Sequence, residues 1–163
     1  MPPIISTVGE SKSGKTTLIE KLISELNSRG YKVATIKHSI HSLSFDKEGK
    51  DSWRHIQAGS AATAIVSPDQ IVLIKPLSEE PDLNEIAHLL GDDCDIILAE
   101  GFKQSQVPKI EVHRKTASPL LNHVTNLIAI VTDEPLESNA RQFSLNDIKG
   151  IATFLENGFI KPK

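Results

Sequence analysis

Cysteine is almost absent: Cys94 stands alone among 163 residues, which excludes a disulfide within the chain and with it a disulfide-stapled scaffold. Long apolar runs are missing too. None approaches the ~20 residues that a membrane-spanning helix needs. Charge of one sign is nowhere concentrated: 18 Lys and Arg against 21 Asp and Glu leave a net charge of −3. No basic patch therefore points to nucleic acid, and no block of like charge points to a disordered tail. The opening "MPPIISTVG" lacks the basic segment and apolar stretch of a secretory signal, so the expected location is cytoplasmic. No internal repeat or low-complexity segment is visible. With 39% hydrophobic and 24% charged residues, the composition is that of an ordinary globular protein. A chain of this length is expected to form a single domain over residues 1–163 and to bury roughly two-thirds of its unfolded surface.

What is present is an alternation of strands and helices. Ile4 to Val8 is a short run rich in β-branched residues, followed by glycine and then by Leu18, Ile19, Leu22, Ile23 and Leu26 at helical spacing. Gly30 supplies a stop. A second strand is expected over Val33 to Lys37, which makes a parallel strand-helix-strand unit. A short helix is expected near residues 52–58. "AATAIV", "SPDQ" and "IVLIK" read as two strands joined by a tight turn at Pro68 and Asp69, a hairpin inserted into the α/β order. Pro81 and Asp82 open a helix to about Leu90. "DIILA" and "NLIAIV" read as buried strands, and "KIEVHR" as an exposed one. A last amphipathic helix is expected over residues 144–159, with Ser144 and Asp147 resembling a capping box.

The segment "VGESKSGKTTLIEKL" carries the clearest chemistry. Gly9, four residues and then Gly14, Lys15 and Thr16 fit the phosphate-loop (Walker A) pattern, placed between a strand and a helix as its mechanism requires. Glycines let successive backbone N–H groups converge on phosphate oxygens, and the helix start adds unpaired donors and the positive end of its dipole. Ser11, Lys12, Ser13, Gly14 and Thr17 complete the phosphate-binding stretch. Lys15 reaches the β and γ phosphates, and Thr16 offers its hydroxyl to Mg²⁺. Glu10 is expected to face solvent, which leaves Lys12 as the extra cation.

A second acid for the metal comes from "CDIILAEG". Asp95 and Glu100 lie about 16 Å apart along an extended strand at ~3.3 Å per residue, and ligands of parallel sheets gather at the carboxyl ends of strands. Glu100 is at that end, so it is assigned to Mg²⁺ or to a metal-bound water. Asp95 is a strand-start residue. Lys103 is placed to meet an anion in the same crevice. Lys37 and His38 end the second strand and lead into a loop of about twenty residues rich in titratable groups, a length that is usually functional. Within it, Lys50, Asp51 and Arg54 fit either a solvated helix start or flanks of a phosphate-bearing ligand. His38, His41 and His55 fit anion or substrate contacts better than a closed zinc site. Asp133, after "AIVT", is either a turn former or an acceptor for a guanine base.

Four segments, "GESKSGKTTL", "TIKHSIHSLSFDKEGKDSWRHIQAGS", "ILAEGFKQSQVPKIEVHR" and "IAIVTDEP", together resemble the molybdopterin-guanine dinucleotide biosynthesis protein B family, the GTP-binding adapters of molybdenum-cofactor maturation. The resemblance runs from Ile4 to about Pro135. Glu48 departs from it, standing where family members often carry proline. It implies a phosphate-loop NTPase fold, mainly parallel and flanked by helices, with GTP, Mg²⁺ and weak GTPase activity. It also implies a homodimer through strand pairing, with the hairpin around Pro68 as the natural edge, and a partner in the molybdenum cofactor guanylyltransferase. A direct contact with molybdopterin is left open. Residue by residue, Gly14, Lys15, Thr16 and Thr17 would hold phosphates and metal, Glu100 would act near the metal, and Lys37, His38, Lys50, Asp51 and Ser52 would line the adjoining crevice.

Two other functions share the loop. A small-molecule kinase would need arginines closing over the γ-phosphate, but Arg29, Arg54, Arg114 and Arg141 are spread along the chain. A GTP-dependent metal-delivery protein would use His38, His41 and His55. With no arginine finger or positioned glutamine legible, hydrolysis is expected to be slow.

Overall fold

The computed structural model describes residues 1–39, 41, 45–116 and 120–161. They form two compact units: Met1–His38 together with Asp82–Lys163, and Ser39–Pro81. The first unit contains β1 (Ile4–Val8), α1 (Lys15–Ser28), β2 (Val33–Lys37), and then, after the inserted unit, α3 (Leu83–Leu90), β5 (Ile96–Glu100), β6 (Lys109–Val112), β7 (Leu127–Thr132), β8 (Arg141–Ser144) and α4 (Ile148–Gly158). The second contains α2 (Asp51–Gln57), β3 (Thr63–Val66) and β4 (Ile71–Ile74).

Six strands of the first unit form one sheet in the order β2-β5-β1-β6-β7-β8, and every pairing in it is parallel. Parallel sheets need cover on both faces, and the side-chain alternation supplies it. Ile5, Ile96, Leu98, Ile110, Val112, Ala129 and Val131 share one face with Leu18, Leu22 and Leu26 of α1 and Ile151 and Leu155 of α4. Ile4, Ile97 and Ala99 point the other way, with Leu83 and Ala87 of α3. Each fully buried Ile or Leu contributes about 1.5–3 kcal/mol by leaving water. Asp82 caps α3 through the N–H of Glu85, while the Glu85 carboxylate takes the N–H of Asp82. At the far end of α1, Arg29 donates to Glu25 at 2.8 Å, and to Thr153 and Glu156 of α4 at 2.9 Å each.

In the second unit, β3 and β4 pair antiparallel. The turn is closed by the Ser67 N–H on the Gln70 carbonyl at 2.9 Å and by the Gln70 N–H on the Ser67 hydroxyl at 3.2 Å. Among the described residues no helix is long and apolar enough to cross a membrane.

The structure departs from the sequence reading in three places. The segment "KIEV" is not exposed: β6 lies between β1 and β7, with Lys109 at 0% and Glu111 at 2% exposure. Its charges are accommodated singly. The Lys109 ammonium donates to the carbonyls of Ser105, Val107 and Thr125, and the Glu111 carboxylate accepts the Leu121 N–H at 2.6 Å. Secondly, Arg141–Ser144 is a sixth strand paired with β7, in a stretch whose one strongly apolar residue, Phe143, gives little periodic signal. Thirdly, Ser144 therefore ends a strand and does not open the last helix. Asp147 is the cap, accepting the Gly150 N–H at 3.0 Å.

Leu22 of α1 belongs to the larger core and is 0% exposed. Leu22→Ala is expected to cost about 2–5 kcal/mol, read as a lower urea midpoint with an unchanged slope.

Candidate functional site

The carboxyl ends of β1, β2, β5 and β6 converge, and the register fixes who meets whom. Glu100 stands beside Thr7 on one side and Lys37 on the other, and Val8 stands beside Glu111. From Val8 the chain turns through Gly9 at φ 145°, where a Cβ would come within 2.4 Å of the Val112 carbonyl oxygen. Only glycine allows the loop to press so closely on β6. The loop closes at Gly14, left-handed at φ 103°, which is the N-cap of α1. No side chain caps that helix and its first turn holds no acid, so its leading N–H groups are left for a ligand.

Three side chains meet at the mouth of the loop. The Thr16 hydroxyl donates to Glu100 Oε2 at 3.0 Å, and Lys37 Nζ donates to Glu100 Oε1 at 2.7 Å. Burial is the largest single influence on Glu100 and pushes its pKa up. The hydrogen bonds from Lys37 and Thr16, with the charges of Lys37 and Lys15, outweigh it and hold the carboxyl below the usual glutamate value. Its pKa falls on folding, so the stability that Glu100 contributes is present above the ordinary carboxylate range and is lost as pH falls through the depressed value. Lys15 bends back on its own loop, donating to the carbonyls of Glu10 at 2.7 Å and Gly9 at 3.1 Å. Burial lowers its pKa, with Glu100 opposing.

A hollow opens over these groups, floored by Gly14, Lys15, Thr16 and Thr17 and walled by Ser11, Lys12 and Glu100. Ser13 faces inward instead, 1% exposed, its Oγ without a hydrogen-bond partner among the described residues. Glu10 is partly exposed, and its carboxylate lies 3.7 Å from the Lys103 ammonium. Asp95 is the strand-start residue that the sequence suggests, accepting the Lys32 N–H at 2.7 Å. His38 follows β2 with its ring 4.7 Å from that of Phe102, and its backbone N–H donates to the Glu100 carbonyl at 2.9 Å.

Asp133, exposed at the end of β7, accepts the Lys115 N–H at 2.8 Å and borders a second hollow with Pro135, Gln142 and Ser144. Lys50 and Asp51 begin α2 in the Ser39–Pro81 unit, where Asp51 lies 3.8 Å from Arg54. Of the titratable loop before them, residues 40 and 42–44 lie outside the described residues. Among the described residues no group of three His, Cys, Asp or Glu is placed to hold a metal ion. One residue was missed. Arg114, two positions beyond β6, donates from Nε to the Ser13 carbonyl at 3.0 Å. The strand-end rule that found Glu100 would have found Arg114 had β6 been recognised as an interior strand.

A hydroxyl and a carboxylate 3.0 Å apart beside an uncapped helix start suit Mg²⁺, which takes few protein oxygens and completes its shell with phosphates and water.

Residues 4–133 match the family model described as molybdopterin guanine dinucleotide synthesis protein B. The chain belongs to that family. It is 39% identical over 157 residues to the molybdopterin-guanine dinucleotide biosynthesis adapter protein of Haemophilus influenzae, covering 95% of this chain and 88% of that one. The Escherichia coli adapter protein is 35% identical over 161 residues, covering 95% and 92%. Among solved structures, a crystal structure of molybdopterin-guanine biosynthesis protein B (MobB) superposes with a TM-score of 0.75 at 30% identity, covering 94% of this chain and 97% of that one. The MobB homologue of Bacillus stearothermophilus gives 0.69 at 28% identity, covering 94% and 95%. The mainly parallel, helix-flanked sheet is thus the MobB architecture.

Followed by carboxyl ¹³C NMR, Glu100 is expected to titrate below an ordinary glutamate, and Lys37→Met to move it upward. A wild-type value at or above the ordinary one would contradict the hydrogen-bonded arrangement.

Proposed function

We propose that the chain is a GTP-binding adapter with weak GTPase activity that assists the guanylyltransferase of molybdenum-cofactor synthesis. The observation that carries this reading is the meeting of Lys15, Thr16 and Glu100 at an uncapped helix start, in a chain of the MobB family. In this reading the β and γ phosphates enter the hollow over Gly14 to Thr17 and draw Lys15 off the carbonyls of Gly9 and Glu10. The helix N–H groups take phosphate oxygens. Thr16 and Glu100 hold Mg²⁺, which when bound neutralises phosphate charge. Lys37 keeps Glu100 ionised. Asp133 is the proposed acceptor for the guanine edge, and Lys50 and Asp51 are proposed as ligand-binding residues.

Slow chemistry is expected from the lining of the hollow: among the described residues that line it there is no glutamine to orient water and no arginine beside Glu100. Turnover on the order of 10⁻³ per second or slower is expected, as in phosphate-loop GTPases that lack an arginine finger. Binding, and the presentation of bound nucleotide to a partner enzyme, is the function.

The hairpin supports a homodimer. Ile65, Val66, Ile71, Val72 and Leu73 are all exposed on β3 and β4, an apolar two-stranded ribbon of the kind that pairs with another chain. Ile71, 71% exposed, is the residue to test. Ile71→Asp is expected to convert a dimer to monomer in sedimentation equilibrium, and an unchanged mass would remove this interface.

Calorimetry with Mg²⁺ and either GTP or ATP tests the nucleotide assignment. GTP is expected to bind more tightly than ATP, and Lys15→Ala to weaken GTP by at least about tenfold through loss of a charge-assisted contact. ATP binding far more tightly than GTP would overturn the guanine reading.

A further inference from the structure

Arg114 lies flat against the phosphate loop. A Cβ on Gly14 would come within 3.3 Å of its Nη2 and 3.4 Å of its Nε, so the guanidinium packs closely against the glycine backbone. One of its five N–H donors is used, by Nε on the Ser13 carbonyl. Among the described residues its one hydrogen bond is that from Nε, and no carboxylate pairs with it. A half-buried arginine fixed at one nitrogen with its other donors unspent is a prepared anion contact.

Its position says which anion. Arg114 walls a narrow crevice with Lys21, Leu145 and Asn146, and that crevice shares Gly14 and Thr17 with the hollow holding Glu100. A ligand laid across the start of α1 therefore has two ends. One lies at Thr16 and Glu100, where metal and the outer phosphates belong. The other runs over Thr17 to Arg114, where two cations and an amide face an apolar side chain.

We propose that Arg114 is a positioning residue that hydrogen-bonds the α-phosphate of the bound nucleotide, with the sugar and base continuing toward Leu145 and Asn146. This rests on the reading of the loop as a nucleoside triphosphate site, and deepens it by giving the nucleotide a direction. Arg114 belongs to the nucleoside end and is not a finger on the γ-phosphate.

The test is calorimetric binding of Mg²⁺-GTP and Mg²⁺-GDP to wild type, Arg114→Gln and Arg114→Lys, with circular dichroism melts of each protein without ligand. Both nucleotides carry the α-phosphate, so Arg114→Gln is expected to weaken both alike, by about ten- to hundredfold. Arg114→Lys is expected to recover part of the loss, because a compact ammonium cannot hold the Ser13 carbonyl and a phosphate together. Loss for GTP with GDP spared would move Arg114 to the γ-phosphate and overturn the placement. Unchanged affinity for both in a folded Arg114→Gln protein would overturn it while leaving the nucleotide reading intact. If the Gln variant melts before binding can be read, the Lys variant decides, and affinity equal to wild type overturns the proposal. Wild type that binds neither nucleotide would remove the functional reading and this inference together.

Discussion

The carboxylate of Glu100 takes a hydrogen bond from Thr16 on one oxygen and from Lys37 on the other. That pair of contacts joins the first turn of α1 to the ends of β5 and β2, and it exists only because the sheet is parallel at this point. Parallel register puts all the carboxyl ends on one edge, and the order β2-β5-β1 sets Lys37, Glu100 and Thr7 side by side. The loop from Gly9 to Gly14 turns through positive φ at Gly9, Lys12 and Gly14 to bring Lys15 and Thr16 over the same edge. Charge balance at the mouth is preset: two lysines face one ionised carboxylate, so an incoming phosphate chain meets net positive charge and unpaired helix N–H groups.

The other half of the sheet solves a different problem. β6 carries Lys109 and Glu111 on a face sealed from water, where an unpaired charge would be costly. Neither pairs with the other. Lys109 is saturated by carbonyls of the segments before β6 and before β7, which ties those connections together at the amino-terminal edge. Glu111 sits at the opposite edge, its pKa raised by burial against the pull of the Leu121 N–H. His113, 7% exposed, meets Glu134 at 3.1 Å. These polar anchors hold in place the stretch that delivers Arg114 to the loop, so the burial of β6 and the geometry of the site are one arrangement.

The sequence made the site's centre legible and its flank obscure, for physical reasons. β1, α1 and the loop between them combine β-branched residues, glycines and a helical apolar period, three signals that agree. Glu100 followed from strand polarity alone. The hairpin was legible from Pro68 and Asp69 between two apolar runs. β6 was misread because Lys-Ile-Glu-Val has the alternation of a half-exposed strand, and nothing local reveals that backbone carbonyls will satisfy the lysine. β8, with the sequence RQFS, owes its place to pairing with β7, a long-range contact with no local signature. Arg114 went unassigned for the same reason as β6: its meaning depends on which strand precedes it.

A structure of the protein with Mg²⁺ and a non-hydrolysable GTP analogue tests the central claim most directly. The account predicts phosphates over Gly14 to Thr17, Lys15 moved from the carbonyls of Gly9 and Glu10 to the β and γ oxygens, and the metal at Thr16 and Glu100. Nucleotide bound elsewhere, or bound here with Lys15 still on its own loop and no metal beside Glu100, would contradict it.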